Sequence, residues 1–311
     1  MSTATGARVG AFDQTIHRGR RWSTANAYLR PALRRANLAV RRGCAASRVL
    51  FEDGRAVGVA YTRGGASRHA RAAREIVLCA GAINSPCILQ RSGIGDGDAL
   101  AAAGIDVVAH RPGVGQCLQE HAEVPVQYAC DPAVSLDREL AWWRRAAIGL
   151  RWFLTRGGLG ASNHFEAGAF IGSRRHRATR RDPVPADDVD DDGTTAARPG
   201  FEGLVDVLRP ASRGAVGLIR GPRGPAAHRA DLLASDADRA AARAAVRLTC
   251  AGLPPARALR RGAARSSRRG GSSDDALDAW ARRNAKPGYH ATVVPHGRRA
   301  DAHAALDPSR A

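Results

Sequence analysis

Residues 75–95 hold the pattern in this 311-residue chain that is best suited to binding a cofactor. A short apolar run ends at Gly81, and Ser85-Pro86 follows four residues later. Glycine lets a backbone approach a flat ligand without a Cβ in the way, and serine and proline are typical of a first helical turn. The pattern predicts a strand over residues 75–81 and a helix that starts at Ser85-Pro86, the geometry of a dinucleotide site. An ordinary strand–helix unit with a tight turn is the alternative.

Metal ligands and paired cysteines give no comparable signal. Residues 188–193 have the spacing of an EF-hand loop, but Pro199 stands where the bidentate glutamate belongs, so we predict a solvated acidic loop and no metal. The six cysteines include no CxxC pair and are predicted to be reduced thiols. Without a long apolar run or a secretory pattern, the sequence predicts a cytoplasmic location.

The fixed positions of residues 81–95, GAINSPCILQRSGIG, resemble the second signature of the glucose-methanol-choline flavin oxidoreductases. Further segments resemble the same family in the same order: GRRWSTANAYL at 19–29, RANL at 35–38, PGVGQCLQEH at 112–121 and GASNHFEAGAF at 160–170. The last segment is most similar to the choline-oxidising members. The resemblance therefore implies oxidation of a small alcohol such as choline, with FAD as the cofactor.

The resemblance also implies which residues meet FAD. The backbone at the end of the signature strand and one residue on the adenine side correspond to Cys79, Ala80, Gly81, Ala82 and Ala46. Family members begin with a GxGxxG turn that holds the FAD pyrophosphate, whereas no GxGxxG occurs in this sequence. A second catalytic segment, N-x-N, is expected beyond Ala311. We therefore expect an incomplete member with little activity of its own.

Catalysis in the family moves a hydride from the alcohol carbon to the flavin, while a histidine handles the hydroxyl proton. His290 is the positional match, although residues 291–295 replace the family's Pro-x-Gly-Thr, and His296 is the weaker substitute. Glu166 matches a glutamate whose carboxylate would suit a quaternary ammonium. An exposed or ion-paired acid on a strand is the alternative for Glu166.

The predicted fold class is α/β, of mixed α and β composition: part of a Rossmann-like FAD-binding domain and a substrate-binding domain, truncated at both ends. Residues 1–122 are predicted to be the last part of the FAD domain, and 123–208 the substrate region. The substrate region is predicted to contain a helix near 137–156 and a loop or disorder at 174–199. Residues 209–311 are predicted to be a degraded, truncated C-terminal region.

Two stretches, 220–230 and 250–271, are rich in arginine, alanine, glycine and proline and have no apolar period. Family-like residues resume after each one, including a predicted helix at 274–284. With 47 arginines and one lysine, the composition is typical of a GC-rich gene. Our hypothesis is that both stretches are out-of-frame translations; a divergent insertion is the alternative, and the coding DNA would decide.

The net charge of +19 would suit a nucleic acid or an anionic membrane. The arginine clusters lack interleaved aromatic residues, however, so we predict no nucleic-acid partner. Peripheral attachment to a membrane and the oligomeric state stay open. Three hypotheses follow: an FAD-dependent alcohol oxidoreductase, an inactive remnant of one, and, least favoured, a basic nucleic-acid-binding protein.

Overall fold

The computed structural model describes most of the chain. The described residues are 8–129, 136, 139, 141–163, 165, 167–170, 176–181, 186–189, 195–198, 200–218, 221, 224–252 and 273–293. Its strands are β1 (Arg8–Ala11), β2 (Ile16–His17), β3 (Arg20–Arg21), β4 (Ala45–Glu52), β5 (Arg55–Arg63), β6 (Ala66–Arg71), β7 (Ile94–Gly95), β8 (Ala109–His110), β9 (Gln116–Leu118), β10 (Ala122–Ala129), β11 (Ala167–Phe170), β12 (His176–Arg181), β13 (Ala186–Val189), β14 (Thr195–Arg198), β15 (Gly200–Val207), β16 (Gly214–Leu218), β17 (Ala226–Arg229) and β18 (Lys286–Pro287). Its α-helices are α1 (Arg30–Ala32), α2 (Gly81–Arg91), α3 (Gly97–Ala102), α4 (Trp142–Thr155), α5 (Asp236–Gly252) and α6 (Asp274–Asn284), with a π-helical turn at Ala25–Leu29 and a 3₁₀ turn at Leu159–Ala161.

The first of two compact units is built around an antiparallel sheet. It is made of Met1–Leu38, His121–Ala211 and Ser235–Gly288. The six strands run in the order β1-β11-β12-β15-β10-β18. Along β10 every second side chain is buried, at Ala122, Val124 and Val126, as expected for a strand with one face in the core. Helix α5 packs on this sheet against β10, β12 and β15.

Helices α5 and α6 are joined by charged side chains. A guanidinium nitrogen of Arg243 lies 2.7 Å from the carboxylate of Asp278, and Arg247 lies 2.8 Å from Asp274. The hydrogen bond from Arg247 lowers the pKa of Asp274, because it stabilises the charged carboxylate. The predicted helix at 274–284 is confirmed. It begins where the Ser273 hydroxyl accepts the backbone N–H of Ala276.

The second unit contains the signature helix. It is made of Ala39–Glu120, Ser212–Ala234 and Tyr289–Ala311. Its sheets are β4-β5-β6, β17-β16-β9 and the parallel pair β7-β8, and α2 packs against β4 and β16. The Asp-Gly pair at residues 53–54 is a sequence typical of a two-residue hairpin turn, and it does join β4 and β5: both residues have positive φ, as such a turn requires. The division of the sequence at 122 and 208 stays a prediction about the domains.

Three sequence-based predictions need correction or adjustment. Residues 174–199 are predicted to be loop or disorder, but their backbone forms β12, β13 and β14. Strand β12 is hydrogen-bonded between β11 and β15, and these backbone hydrogen bonds stabilise a strand that its polar sequence does not predict. In the stretch 220–230, residues Ala226–Arg229 pair with β16. The helix predicted near 137–156 occupies Trp142–Thr155. The out-of-frame hypothesis stays untested, and 253–271 lies outside the described residues.

Candidate cofactor and catalytic site

The helix of the signature segment begins earlier in the sequence than predicted. Helix α2 begins at Gly81, not at Ser85-Pro86, so Pro86 lies inside it. The Ser85 hydroxyl, in the second turn of α2, accepts a hydrogen bond from the backbone N–H of Ala80 at 3.1 Å. It thereby gives a partner to a backbone N–H at the helix start, where such groups have none within the helix. Ser85 and Pro86 therefore do lie near the start of a helix, but the helix begins one turn before them.

The strand predicted over 75–81 is also wrong, because no strand in the described part of the chain pairs with residues 75–80. A strand depends on a neighbour for its backbone hydrogen bonds, and an apolar run alone cannot supply one. Val77 is correspondingly 73% exposed. The segment therefore reaches α2 as an unpaired connection.

Four of the five predicted FAD contacts lie at the N-terminal end of α2. Cys79, Ala80 and Gly81 are exposed and Ala82 is half-buried. Gly81 has φ +85°, and a Cβ placed there would meet no atom within 4 Å. Small side chains, an open backbone and a positive helix end together form a surface that a flat group with anionic substituents could cover.

The fifth predicted contact, Ala46, is exposed on β4. Strand β4 packs against α2, and the two are also linked at the other end of the helix, where the Val49 N–H donates to the Ser92 hydroxyl at 2.8 Å. Ala46 therefore lies on a strand that packs against α2, Gly81 and Ala82 lie in the first turn of that helix, and Cys79 and Ala80 lie on the connection that leads into it. The contact of these residues with FAD stays a prediction.

His290 lies on a loop that is fixed to the segment after β9. Its backbone N–H donates to Oε1 of Glu120 at 2.9 Å, and its side chain is exposed. Two residues later, Thr292 and Gln119 exchange both backbone hydrogen bonds, at 2.8 and 3.0 Å. The loop around His290 is thus held by its backbone, and His290 itself is exposed.

Glu120 is a residue that sequence reasoning missed. Its side chain is buried although it carries a carboxylate, and buried acids require partners. The available signal was its place in PGVGQCLQEH, where it is the only acid of the segment. Its partner lies 170 residues away, and no local pattern reveals such a pairing.

One apolar cluster connects the signature helix with the His290 loop. It contains Cys87 of α2, Leu118 of β9, Val216 of β16 and Val293, three residues after His290. Gln90, at a variable position of the signature, donates to the carbonyls of Val114 at 3.2 Å and Val216 at 3.3 Å. These contacts hold the predicted cofactor-binding helix and the predicted catalytic loop in one unit.

The two signature cysteines are expected to differ strongly in reactivity. Cys79 is exposed, whereas Cys87 is fully buried, and this burial raises the pKa of its thiol despite the opposing effect of Arg91. A raised pKa means less reactive thiolate at any pH below it, so Cys79 should be alkylated near pH 8 while Cys87 is protected and reacts only at higher pH or after unfolding. Iodoacetamide labelling followed by peptide mass spectrometry measures both rates. A Cys79→Ser variant is the control, and equal labelling of both cysteines at pH 8 would contradict the placement of α2.

The first unit has a separate cleft between two of the family-like segments. Its lining includes residues 160–163 and the side chains of Arg20, Arg21 and Arg30. The indole N–H of Trp152 donates to the Gly19 carbonyl at 2.6 Å and so fixes one wall. Three arginines do not suit a cationic substrate. Glu166, the predicted substrate contact, lies outside the described residues.

The sequence and the fold of this chain are both similar to those of known proteins. The family model described as GMC oxidoreductase matches residues 5–123, which include the signature helix and the segment up to Glu120. Oxygen-dependent choline dehydrogenase from Burkholderia multivorans is 41% identical over 294 residues, which is 90% of this chain and 51% of that protein. The protein of the same name from Brucella canis is 42% identical over 245 residues, 77% of this chain and 44% of its own length.

This chain belongs to the GMC oxidoreductase family. Its fold is also that of the GMC enzymes. Pyridoxine 4-oxidase from Mesorbium loti superposes with a TM-score of 0.76 at 25% identity, over 96% of this chain and 56% of that chain. Formate oxidase from Aspergillus oryzae RIB40 gives 0.77 at 20% identity, over 89% and 54%. The predicted family and fold class are therefore confirmed, and this GMC chain spans about half the length of the curated relatives it matches.

Within the described residues of this GMC chain, no helix is both long and apolar enough to cross a bilayer.

Proposed function

We propose that this chain contributes part of the FAD site and of the substrate region to an FAD-dependent oxidation of choline to betaine aldehyde. The observation that carries the proposal is the identity of about 40% to choline dehydrogenases across 90% of the chain. The proposal is also supported by the signature helix, whose N-terminal end is open and lined by small residues.

FAD, when bound, supplies the acceptor for the hydride that leaves the alcohol carbon. The residues that would hold it are Cys79, Ala80, Gly81 and Ala82 at the end of α2, with Ala46 on β4. Their part is to bind and orient one side of the cofactor. Because no GxGxxG occurs in the 311 residues, we expect this polypeptide alone to bind FAD weakly.

His290 is proposed to handle the proton of the substrate hydroxyl. Its imidazole is exposed and its backbone is fixed to Glu120, so the ring can meet a substrate without movement of the loop. As the hydride leaves the carbon, the hydroxyl proton passes to an imidazole nitrogen, which prevents charge from building up on the oxygen. Glu166 is proposed to face the quaternary ammonium of choline.

Two substitutions test this proposal. Gly81→Val should weaken FAD binding by about tenfold, which corresponds to 1.4 kcal/mol, because the side chain strains the backbone and covers the open surface. Gly65→Val is the matched control: Gly65 also has a positive φ, +79°, and open space, but lies in the β5–β6 turn. Flavin fluorescence titration measures both, and equal weakening by the two variants would contradict the assigned cofactor surface.

The second substitution is His290→Ala. With FAD at saturating concentration, we expect slow anaerobic bleaching of the flavin by choline in the wild-type chain, and His290→Ala should slow it by a further factor of roughly 10² to 10⁴ while FAD affinity stays unchanged. Flavin that is bound to the wild-type chain but is not bleached by choline would overturn the proposed substrate, and unchanged bleaching in the variant would overturn the role of His290.

A further inference from the structure

The cleft of the first unit is lined by positive charge. Arg20, Arg21 and Arg30 line it, and its other described lining residues include asparagine, serine and threonine but no acid. All of them come from residues 15–30 and 152–163, which belong to the first unit. Positive side chains and neutral hydrogen-bonding groups therefore face one space within a single unit.

The three cleft arginines lack a protein counterion. Within the part of the chain that the structure describes, none of their guanidinium groups forms an ion pair or a hydrogen bond. By contrast, Arg243 on α5 lies 2.7 Å from the carboxylate of Asp278. Three like charges around one cleft repel each other and raise the positive potential there, so the cleft attracts anions.

A fourth guanidinium group borders the cleft. Arg156 lies 4.3 Å from the centre of the ring of Trp152, a lining residue, and a Cβ on Gly19, another lining residue, would overlap the Arg156 carbonyl oxygen. Its Nη1 is buried and has no hydrogen-bond partner among the described residues. A buried charged donor without a partner costs free energy, and an anion in the neighbouring cleft would reduce that cost through its charge.

The backbone that carries two of the arginines is held in place. Arg20 and Arg21 form β3, which pairs with β2 in a hairpin. The indole N–H of Trp152 donates to the Gly19 carbonyl at 2.6 Å, and the side-chain amide of Asn26 donates to the Arg21 carbonyl at 3.0 Å. Because this backbone is already fixed, less conformational entropy is lost when a ligand binds to its side chains.

We propose that this cleft binds a small organic polyanion that carries two or more carboxylate or phosphate groups. A guanidinium group presents a fork of N–H donors that matches two oxygens of either group. The cleft volume of about 920 Å³ suits a molecule of metabolite size. The proposed FAD contacts and His290 belong to the second unit, so this inference does not depend on the proposed oxidoreductase activity.

Calorimetric titration of the 311-residue chain tests the proposal, with citrate as the polycarboxylate and fructose 1,6-bisphosphate as the phosphate ester. A background of about 0.1 M sodium chloride screens attraction between exposed charges beyond roughly 10 Å. We expect saturable binding of at least one probe at one site per chain. The probe that binds more tightly identifies the anionic group for which the cleft is built.

A charge-matched pair of variants separates the cleft from general attraction by a chain of charge +19. Replacing Arg20, Arg21 and Arg30 together by glutamine should weaken binding at least about tenfold, because charge-assisted hydrogen bonds are lost. Replacing three other exposed arginines by glutamine removes the same charge and should weaken binding less than about threefold. These control positions are Arg63, Arg68 and Arg74.

Arg30→Gln alone is the second variant, because Arg30 lies on α1 and its replacement leaves the hairpin unchanged. It should weaken binding by about threefold or more. Circular dichroism shows whether each variant keeps its fold. The absence of saturable binding of either probe, equal weakening by the two triple replacements, or unchanged binding in Arg30→Gln would each overturn the proposal.

Discussion

Replacing Gly115 with alanine is expected to lower the free energy of unfolding by about 3 kcal/mol or more. Gly115 has φ +82°, and a Cβ there would overlap the carbonyl oxygen of Val216 and lie 2.7 Å from the amide nitrogen of Gln90. The Val216 N–H also donates to the Gly115 carbonyl at 2.6 Å. Since the carbonyl oxygen of Val216 belongs to the backbone, the chain can accept the methyl group only by moving β16 away from the turn that contains Gly115.

Gly149→Ala is the matched control for this prediction. Gly149 lies within α4 and a Cβ there would meet no atom within 4 Å, so the same added methyl should stabilise by up to about 1 kcal/mol. Urea denaturation followed by circular dichroism gives both values. A loss below about 1 kcal/mol in the Gly115 variant would show that the Gly115–Val216 approach is not as close as described.

Leu118→Ala is expected to cost about 2–5 kcal/mol. Leu118 is 1% exposed and packs with Cys87, Val216 and Val293, so truncation leaves a cavity among segments from four parts of the sequence. The loss should also loosen the His290 loop, whose attachment at Thr292 adjoins Val293. Faster hydrogen exchange at the amides of Gln119 and Thr292 would report this effect locally.

Leu33→Ala is the corresponding control. Leu33 is 52% exposed, and its truncation should change stability by no more than about 0.5 kcal/mol. If Leu118→Ala were equally mild, the apolar cluster could not be what holds the loop. If Leu118→Ala lost stability without faster exchange at Thr292, the loop would be held by Glu120 instead.

The sequence predicted those structural features that depend on only a few neighbouring residues. Asp53-Gly54 specified its hairpin because only a few residues tolerate two successive positive φ angles. Ser273 marked the start of α6 through a cap that involves only its neighbours. The GMC family was likewise predictable, because its signature is a run of fixed residues within one short segment.

Features that depend on contacts between residues far apart in the sequence could not be predicted from it. Among the residues that the structure describes, the apolar run at 75–80 has no neighbouring strand, while the polar β12 has two. Glu120 and Gln90 meet partners more than a hundred residues away. The assignments of His290, Glu166 and the FAD contacts stay predictions, because each came from resemblance; Gly81→Val tests the FAD contacts and His290→Ala tests His290.

The hydrogen bond from the His290 backbone N–H to the Glu120 carboxylate also constrains the order of folding. The two residues are 170 positions apart, so a ribosome adding about 5–20 residues per second needs roughly 10 to 30 s between them. For most of that interval β9 and the signature helix are out of the exit tunnel while Val293 does not yet exist. During synthesis the incomplete second unit therefore exposes Leu118 and Cys87, and its demand for chaperones should be highest then.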